Sequence, residues 1–177
     1  MMILLVSGST RTRSTNTAAL RTAQAVSPDG ITTVLYEGLV DLPAFIPDSD
    51  PENPHPAVAE LRQSLVASDA VLFCTPEYAG TLPGSFKNAL DWTVGTGELY
   101  EKPVAWISVA APGRGDGAEA TLRTVLGYVA AQVIEPACVR IPVQRDQVGP
   151  DGELTGDPTR TQIAGVLAAM ADYLTSI

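Results

Sequence analysis

The sequence predicts an α/β domain whose parallel sheet is covered by helices on both faces. Short apolar runs alternate with helical patterns from end to end, as in chains that wind between strands and helices. The apolar runs are nearly continuous, which is typical of strands buried on both faces. The length of 177 residues suits one domain with a substantial core, here residues 1–177. Connections between parallel strands are almost always right-handed, which limits the possible chain topologies. We therefore expect a three-layer, doubly wound sheet of five strands in the order 2-1-3-4-5.

The individual elements follow from the apolar periodicity. The predicted strands are residues 3–6, 31–36, 70–74, 104–109 and one within 137–143. The predicted helices are residues 15–26, 57–67, 83–94, 117–131 and a last helix that opens with Asp157 as its cap and Pro158 in its first turn. The connection after the second strand is too punctuated by proline for regular structure; it holds Pro43, Pro47, Pro51, Pro54 and Pro56.

Composition restricts the classes of function. A net charge of −9 argues against nucleic acid as a partner, because phosphate backbones are held by clustered basic residues. Cys74 and Cys138 form no Cys-x-x-Cys pair, and we expect reduced core residues although one disulfide stays open. The apolar run 2–6 is too short to span a membrane and lacks a basic flank, so we expect a strand and a cytoplasmic protein. No ligand cluster for a metal is apparent.

A hydroxyl-rich segment, loop 1, follows the first predicted strand at residues 7–16, SGSTRTRSTN. The amino terminus of the next helix attracts anions. Five side chains can complete the shell around a phosphate: Ser9, Arg11, Ser14, Thr15 and Asn16. The segment has neither a Gly-Lys pair nor Gly-x-Gly-x-x-Gly, which favours a terminal phosphomonoester over a triphosphate or a pyrophosphate. In the alternative interpretation, Ser14 or Thr15 only caps the helix and the two arginines face water.

A second segment follows the third predicted strand, where residues 76–92 read PEYAGTLPGSFKNALDW. We call residues 75–83, which include the start of this segment and the threonine before it, loop 3. Pro76 fixes the exit from the strand, Gly80 permits close approach to the backbone, and Tyr78 offers a flat face with a polar tip. Ligands of doubly wound sheets bind where the strand order reverses, between the first and third strands. Loops 1 and 3 therefore predict one ligand site.

The two segments resemble the motifs of the NADPH-dependent FMN reductase family. The motifs are Gly-Ser-x-Arg-x-x-Ser-x-Asn after strand one and Pro-Glu-Tyr-x-Gly-x-x-Pro-Gly-x-x-Lys-Asn-Ala-Leu-Asp-Trp after strand three. The likeness includes Asp41-Leu42-Pro43 and Lys102-Pro103-Val104. The resemblance implies a flavodoxin-like fold, bound FMN and NADPH or NADH as co-substrate. It also implies a quinone, azo-dye, metal-oxyanion or flavin acceptor and a homodimer or homotetramer.

The resemblance also implies which residues contact FMN. The five loop 1 side chains would hold the phosphate. The ribityl chain and isoalloxazine would be lined, mostly by backbone groups, by Pro76, Glu77, Tyr78, Ala79 and Gly80, with Tyr78 also lining the substrate cleft. A further segment, loop 4 at residues 108–117, would approach the other flavin edge through Ser108, Ala110 and Gly113. Many members have asparagine at the position of Ala79 and a Gly-Gly pair in loop 4, and this chain departs from both.

In this interpretation the cofactor carries the chemistry, with hydride passing from NADPH to flavin N5 and electrons then reaching a second substrate. The alternative is an acidic, flavodoxin-like electron carrier without its own NADPH site. The negative charge keeps that alternative open, whereas Arg11 and the Lys-Asn-Ala-Leu-Asp-Trp segment favour the reductase. We expect Asn88, Leu90 and Trp92 to pack their helix or a subunit contact rather than to touch substrate. We also expect Lys87 to pair with Asp91, and His55 to form no catalytic pair with Cys74.

Overall fold

The computed structural model describes residues 1–48 and 53–177, so Pro51 of the proline-rich connection lies outside the described residues. Its strands are β1 Met2–Ser7, β2 Thr32–Tyr36, β3 Ala70–Cys74, β4 Pro103–Ser108, β5 Gln132–Val133 and β6 Val139–Arg140. Its α-helices are α1 Thr15–Ala25, α2 Pro56–Ala67, α3 Gly84–Asp91, α4 Asp116–Tyr128 and α5 Asp157–Ser176. None of the helices in these described ranges is long and apolar enough to cross a membrane.

The strands form one parallel sheet in the order β2-β1-β3-β4-β5, with β6 also pairing with β4. This is the predicted 2-1-3-4-5 order, and the α/β fold is confirmed. The chain winds outward in one direction from β1 to β2 and in the other from β3 onward. The carboxyl ends of β1 and β3 therefore define the switch point at which such sheets bind ligands.

The fifth strand differs from the prediction of one strand within residues 137–143. The structure has two short pieces, β5 and β6, each pairing with β4, separated by a 3-10 turn at Glu135–Ala137. Pro136 lies in that turn, and a proline has no N–H to donate to a continuous ladder. The prediction of Asp157 as a cap was also wrong, because Gly156 (φ 97°) holds the cap position without a side-chain bond and Asp157 lies in the first turn.

The hydrophobic core occupies both faces of the sheet. In β1, Ile3 and Leu5 pack in a cluster with α1 and α5, whereas Leu4 and Val6 pack in a cluster with α2, α3 and α4. All five residues of β3 are buried. Successive side chains of a strand point to opposite faces, so helices on both faces demand apolar residues at every position. This is why the central strands were predictable from their continuous apolar runs.

Helix α3 holds the segment after β2 against the domain. Asn88 donates from Nδ2 to the carbonyl of Pro43 (2.9 Å) and accepts at Oδ1 from the N–H of Phe45 (2.8 Å). Trp92 donates from Nε1 to the same Pro43 carbonyl (2.9 Å) and meets the Phe45 ring edge-on at 5.1 Å. These contacts confirm that Asn88 and Trp92 are structural. Lys87 pairs with Asp91 at 2.6 Å, as expected, in a half-exposed setting where such pairs add little.

The cysteines and the histidine have separate structural roles. Both cysteines are free thiols, as predicted, and burial raises the pKa of each, that of Cys138 to about 11. Cys74 is fully buried and donates from its sulfur to Oδ1 of Asn16 (3.4 Å). His55 accepts at Nδ1 from the N–H of Ala57 (3.3 Å) and so caps α2. His55 and Cys74 thus each have another hydrogen-bond partner.

Candidate cofactor site

A cleft of about 350 Å³ opens at the carboxyl edge of the sheet, among loop 1, loop 3 and loop 4. It lies at the switch point that the strand order defines. Its walls are Thr15, Asn16, Thr75, Pro76, Glu77, Val109, Ala110, Ala111, Arg114, Gly115, Val143 and Arg145. Five of the sequence-predicted site residues are in this set: Thr15, Asn16, Pro76, Glu77 and Ala110.

The amino terminus of α1 forms one end of the cleft. Ser14 caps this helix, because its Oγ accepts from the N–H groups of Asn16 (3.2 Å) and Thr17 (3.4 Å). Both donor–acceptor distances are at or beyond the long end of the usual range for N–H···O hydrogen bonds. These bonds are therefore weak, and a bound anion can compete with Ser14 for the two amides. The Asn16 side chain is buried and accepts from the Cys74 thiol, which ties α1 to β3. The side chains of Ser14 and Asn16 therefore have protein partners, while the positive end of the helix points to the cleft.

Ser9, Arg11 and Arg13 of loop 1 do not line this cleft. Ser9 and Arg11 line a second pocket of about 230 Å³ together with Tyr36 and Leu39. The N–H of Arg11 donates to Oγ of Ser9 (3.4 Å), and the side chains of Arg11 and Arg13 are exposed. The capped helix and the exposed arginines match the alternative interpretation of this loop. Ser14 lines a third pocket, so the structure divides the five predicted phosphate contacts among three cavities, and their convergence on one phosphate stays a prediction.

The base of loop 3, residues 75–77, lines the cleft, whereas its tip, residues 78–81, does not. Tyr78 and Thr81 exchange backbone hydrogen bonds (3.0 and 3.1 Å), and the two residues between them, Ala79 (φ 51°) and Gly80 (φ 76°), both have positive φ. This is the pattern of a type I′ turn, which favours Asn-Gly. The tip is exposed, including 47% of Tyr78. Tyr78, Ala79 and Gly80 do not line the cleft, and their predicted flavin contacts stay predictions.

Glu77 links loop 3 to α4. Its Oε2 accepts from the N–H groups of Gly117 (2.8 Å) and Ala118 (3.2 Å) at the start of that helix. A Cβ at Gly117 would lie 2.0 Å from the carbonyl oxygen of Gly80, so the close approach requires glycine. Thr81 and Thr121 add a hydroxyl contact of 2.9 Å. The sequence prediction assigned Glu77 to the flavin mainly by its backbone and missed this role of its carboxylate.

A second glycine joins loop 1 to loop 3. The N–H of Gly8 donates to the carbonyl of Cys74 (2.9 Å). A Cβ at Gly8 would lie 2.2 Å from Oγ1 of Thr75 and 2.9 Å from the ring of Phe86. Real Cβ atoms do not approach so closely, so the backbones of loops 1 and 3 meet here only because residue 8 is glycine.

Loop 4 places only Ala110 of its three predicted residues in the cleft. Ser108 is buried at the end of β4, where its carbonyl accepts from the N–H of Ile141 (2.8 Å). Gly113 (φ 75°) is exposed in a turn outside the cleft. Arg114 of the same loop and Arg145, which comes from the segment after β6, also line the cleft and were not predicted as site residues. A basic residue in a loop at this edge was the available signal for Arg114, whereas nothing local indicated Arg145.

The cleft fits FMN on the chemistry of its walls. The α1 terminus offers N–H groups and a positive dipole end for a phosphate. Pro76, Val109 and Ala110 offer an apolar wall for a ring system. Glu77 is the one carboxylate among the described lining residues, and the two α4 amides that donate to it offset part of its negative charge.

A doubly wound parallel sheet with a polar-to-apolar cleft at its switch point is typical of nucleotide- and flavin-binding α/β proteins. The family model for NADPH-dependent FMN reductase matches residues 1–146, and the chain belongs to this family. The predicted family is thereby confirmed, and the chain is an oxidoreductase with FMN as cofactor and NAD(P)H as co-substrate.

Individual proteins show the same likeness along almost the whole chain. An NAD(P)H-dependent FMN reductase of Pseudomonas aeruginosa is 32% identical over 171 residues, which cover 95% of this chain and 92% of the relative. A quinone reductase of Escherichia coli K12 is 28% identical over 182 residues, which cover 98% and 95%. The solved structure of a flavoenzyme NAD(P)H:(acceptor) oxidoreductase from Paracoccus denitrificans superposes with a TM-score of 0.81 at 28% identity, covering 99% and 97%.

Proposed function

We propose that this protein transfers hydride from NAD(P)H to bound FMN and passes the electrons to a small-molecule acceptor of the quinone, azo, metal-oxyanion or flavin type. The observation that carries the proposal is the cleft at the switch point, whose walls include the terminus of α1 and the apolar residues Pro76, Val109 and Ala110. The quinone reductase among its relatives supports a quinone as the first acceptor to test.

The residues of the chain supply binding and position. FMN, when bound, supplies the redox chemistry itself. The α1 terminus attracts the phosphate, and Ser9 and Arg11 are proposed to join it from loop 1. Pro76 and Ala110 wall the ring, while the contacts at Gly8 and Gly117 fix the distances between the loops. The Cys74 thiol is unsuited to nucleophilic work, because burial raises its pKa and Asn16 accepts its proton in a hydrogen bond.

Anaerobic reduction distinguishes the enzyme from the electron carrier. We expect the purified, FMN-loaded protein to be yellow and to bleach when NADPH alone is added. Bleaching only in the presence of a separate reductase would support the carrier. A colourless protein that takes up no added FMN would refute both. An acceptor panel assayed with NADPH and with NADH then identifies the preferred substrates.

Arg11 offers a direct test of the phosphate contacts. We expect Arg11→Ala to weaken FMN binding, measured by fluorescence quenching of free FMN, without changing the midpoint of urea unfolding. Arg13→Ala is the matched control, because it removes the same charge from a neighbouring exposed position. An FMN affinity that is equal in the Arg11 variant and the wild type would show that Arg11 does not contribute to FMN binding.

We also propose a homodimer or homotetramer in the cytoplasm, as the family resemblance implies. Two free thiols agree with a reducing compartment. Sedimentation equilibrium of the FMN-loaded protein tests the assembly, and a monomer at micromolar concentration would contradict it.

A further inference from the structure

Two guanidinium groups with no assigned role line the cofactor cleft. Arg114 reaches it from loop 4, and Arg145 reaches it from the segment after β6. Within residues 1–48 and 53–177, neither arginine forms an ion pair. Two uncompensated cations in one cleft stand out in a chain of net charge −9.

Three carboxylates of loop 3 and α4 have partners of their own, whereas Asp146, next to Arg145, is exposed and forms no ion pair among the described residues. Asp116 and Glu119 both pair with Arg140, at 2.5 and 2.7 Å. Glu77 accepts from two amides of α4. Among residues 1–48 and 53–177, no carboxylate forms an ion pair with either arginine, so both guanidinium groups are available to a ligand.

The backbone that carries each arginine is held in place. The N–H of Arg114 donates to the carbonyl of Ala111 (3.0 Å), in a turn between Gly113 and Gly115, which both have positive φ. Arg145 begins a 3-10 turn in which Gln144 and Gln147 cap each other. Just before it, the N–H of Val143 donates to the carbonyl of Val109 (3.2 Å), which anchors the segment to the end of β4. The arginines thus project from positioned backbone, which lowers the entropic cost of binding.

We propose that Arg114 and Arg145 form an anion-binding pair that recognises the phosphate groups of the nicotinamide co-substrate. This inference rests on the proposed function. The phosphate of FMN is expected at the terminus of α1, whereas Arg114 and Arg145 come from loop 4 and from the segment after β6, so we assign the pair to a second ligand. A nicotinamide dinucleotide brings further phosphates to the same cleft, and guanidinium groups bind phosphate oxygens in a fork. An anionic electron acceptor offers the same chemistry, and the experiment separates the two sources.

The test compares reductants with and without phosphate on the FMN-loaded double variant Arg114→Gln/Arg145→Gln. In anaerobic stopped-flow reduction, we expect the apparent Kd for NADPH to rise at least tenfold and to depend less on salt. Reduction by 1-benzyl-1,4-dihydronicotinamide, which carries no phosphate, should stay within twofold of the wild type. Calorimetric titration with NADP⁺ should show the same loss of affinity without any turnover.

The control variant Lys87→Gln/Arg123→Gln removes the same charge from outside the cleft and should leave the Kd for NADPH within twofold. An unchanged Kd in the arginine variant, or equal losses with both reductants, would overturn the proposal. A loss confined to reoxidation by a sulfonated quinone, with a neutral quinone unaffected, would also overturn it and assign the pair to the acceptor. A wild type that NADPH does not reduce would refute the proposed function, while equal NADP⁺ affinities in the two proteins would refute the arginine pair independently.

Discussion

Removing the Glu77 carboxylate should loosen the junction between loop 3 and α4. In Glu77→Ala, the amides of Gly117 and Ala118 lose their acceptor at 2.8 and 3.2 Å. Loss of a helix cap costs ~1 kcal/mol, and hydrogen bonds to a charged group contribute ~1.5–3 kcal/mol. Glu77 is only half-buried, so water replaces part of this. We therefore expect the free energy of unfolding to fall by about 1–2 kcal/mol, which lowers the Tm of a domain of this size by roughly 2–4 °C per kcal/mol.

Three measurements check this prediction. Urea unfolding gives the free energy, and hydrogen exchange reports the amides of Gly117 and Ala118, which should exchange faster in the variant. FMN affinity should also fall, because Pro76 and the base of loop 3 are no longer fixed against α4. Glu77→Gln keeps an acceptor oxygen at the same place, so its loss of stability should be about half as large or less.

A control distinguishes the cap from a general effect of removing a carboxylate. Glu60→Ala changes an exposed residue of α2, and surface substitutions of this kind stay within about ±0.5 kcal/mol. The reasoning would be refuted by a Glu77→Ala variant with wild-type stability and wild-type exchange at both amides. It would equally be refuted if Glu77→Gln and Glu77→Ala lost the same stability, since the retained oxygen would then contribute nothing.

Three further substitutions test other parts of the structure. Ala79→Asn should raise the free energy of urea unfolding by up to ~1 kcal/mol, because asparagine tolerates the left-handed conformation better than alanine. Asn88→Ala should lower it by ~1–3 kcal/mol, since Phe45 N–H loses its acceptor, and limited proteolysis of the segment after β2 should accelerate. Burial and nearby carboxylates raise the pKa of Tyr36 from 10.0 to about 12, so the unfolded chain deprotonates first and stability falls between those pH values. Tyr36→Phe should reduce that fall in alkaline unfolding curves.

The fold was predictable wherever the structure imposes a local pattern. The central strands β1 and β3 are buried on both faces, and each appears in the sequence as an uninterrupted apolar run. The fifth strand was not predictable in the same way. Its two pieces are defined by separate pairings with β4 around Pro136, and pairing with a strand thirty residues earlier leaves no periodicity in the segment itself.

The motifs located the site but did not reveal what each side chain does. Asn16 was predicted at the phosphate, yet its side chain turns inward to Cys74, 58 residues later. Glu77 was predicted at the flavin, yet its carboxylate binds amides 40 residues away. Arg145 enters the cleft from a segment without any motif. Each of these outcomes depends on a tertiary contact, and local sequence cannot specify a partner that distant.

The cleft takes its shape from backbone contacts rather than from large side chains. Gly8 meets Thr75 and Gly117 meets Gly80 at separations that exclude any Cβ, so these glycines set how closely the three loops approach. Ala79, in contrast, lies on an exposed turn where a side chain meets no such limit. Departures from the family motif are therefore tolerable at the tip of loop 3, where only local strain changes. At Gly8 or Gly117 even a methyl group must displace a whole loop, so alanine there should impair FMN binding far more than asparagine at position 79.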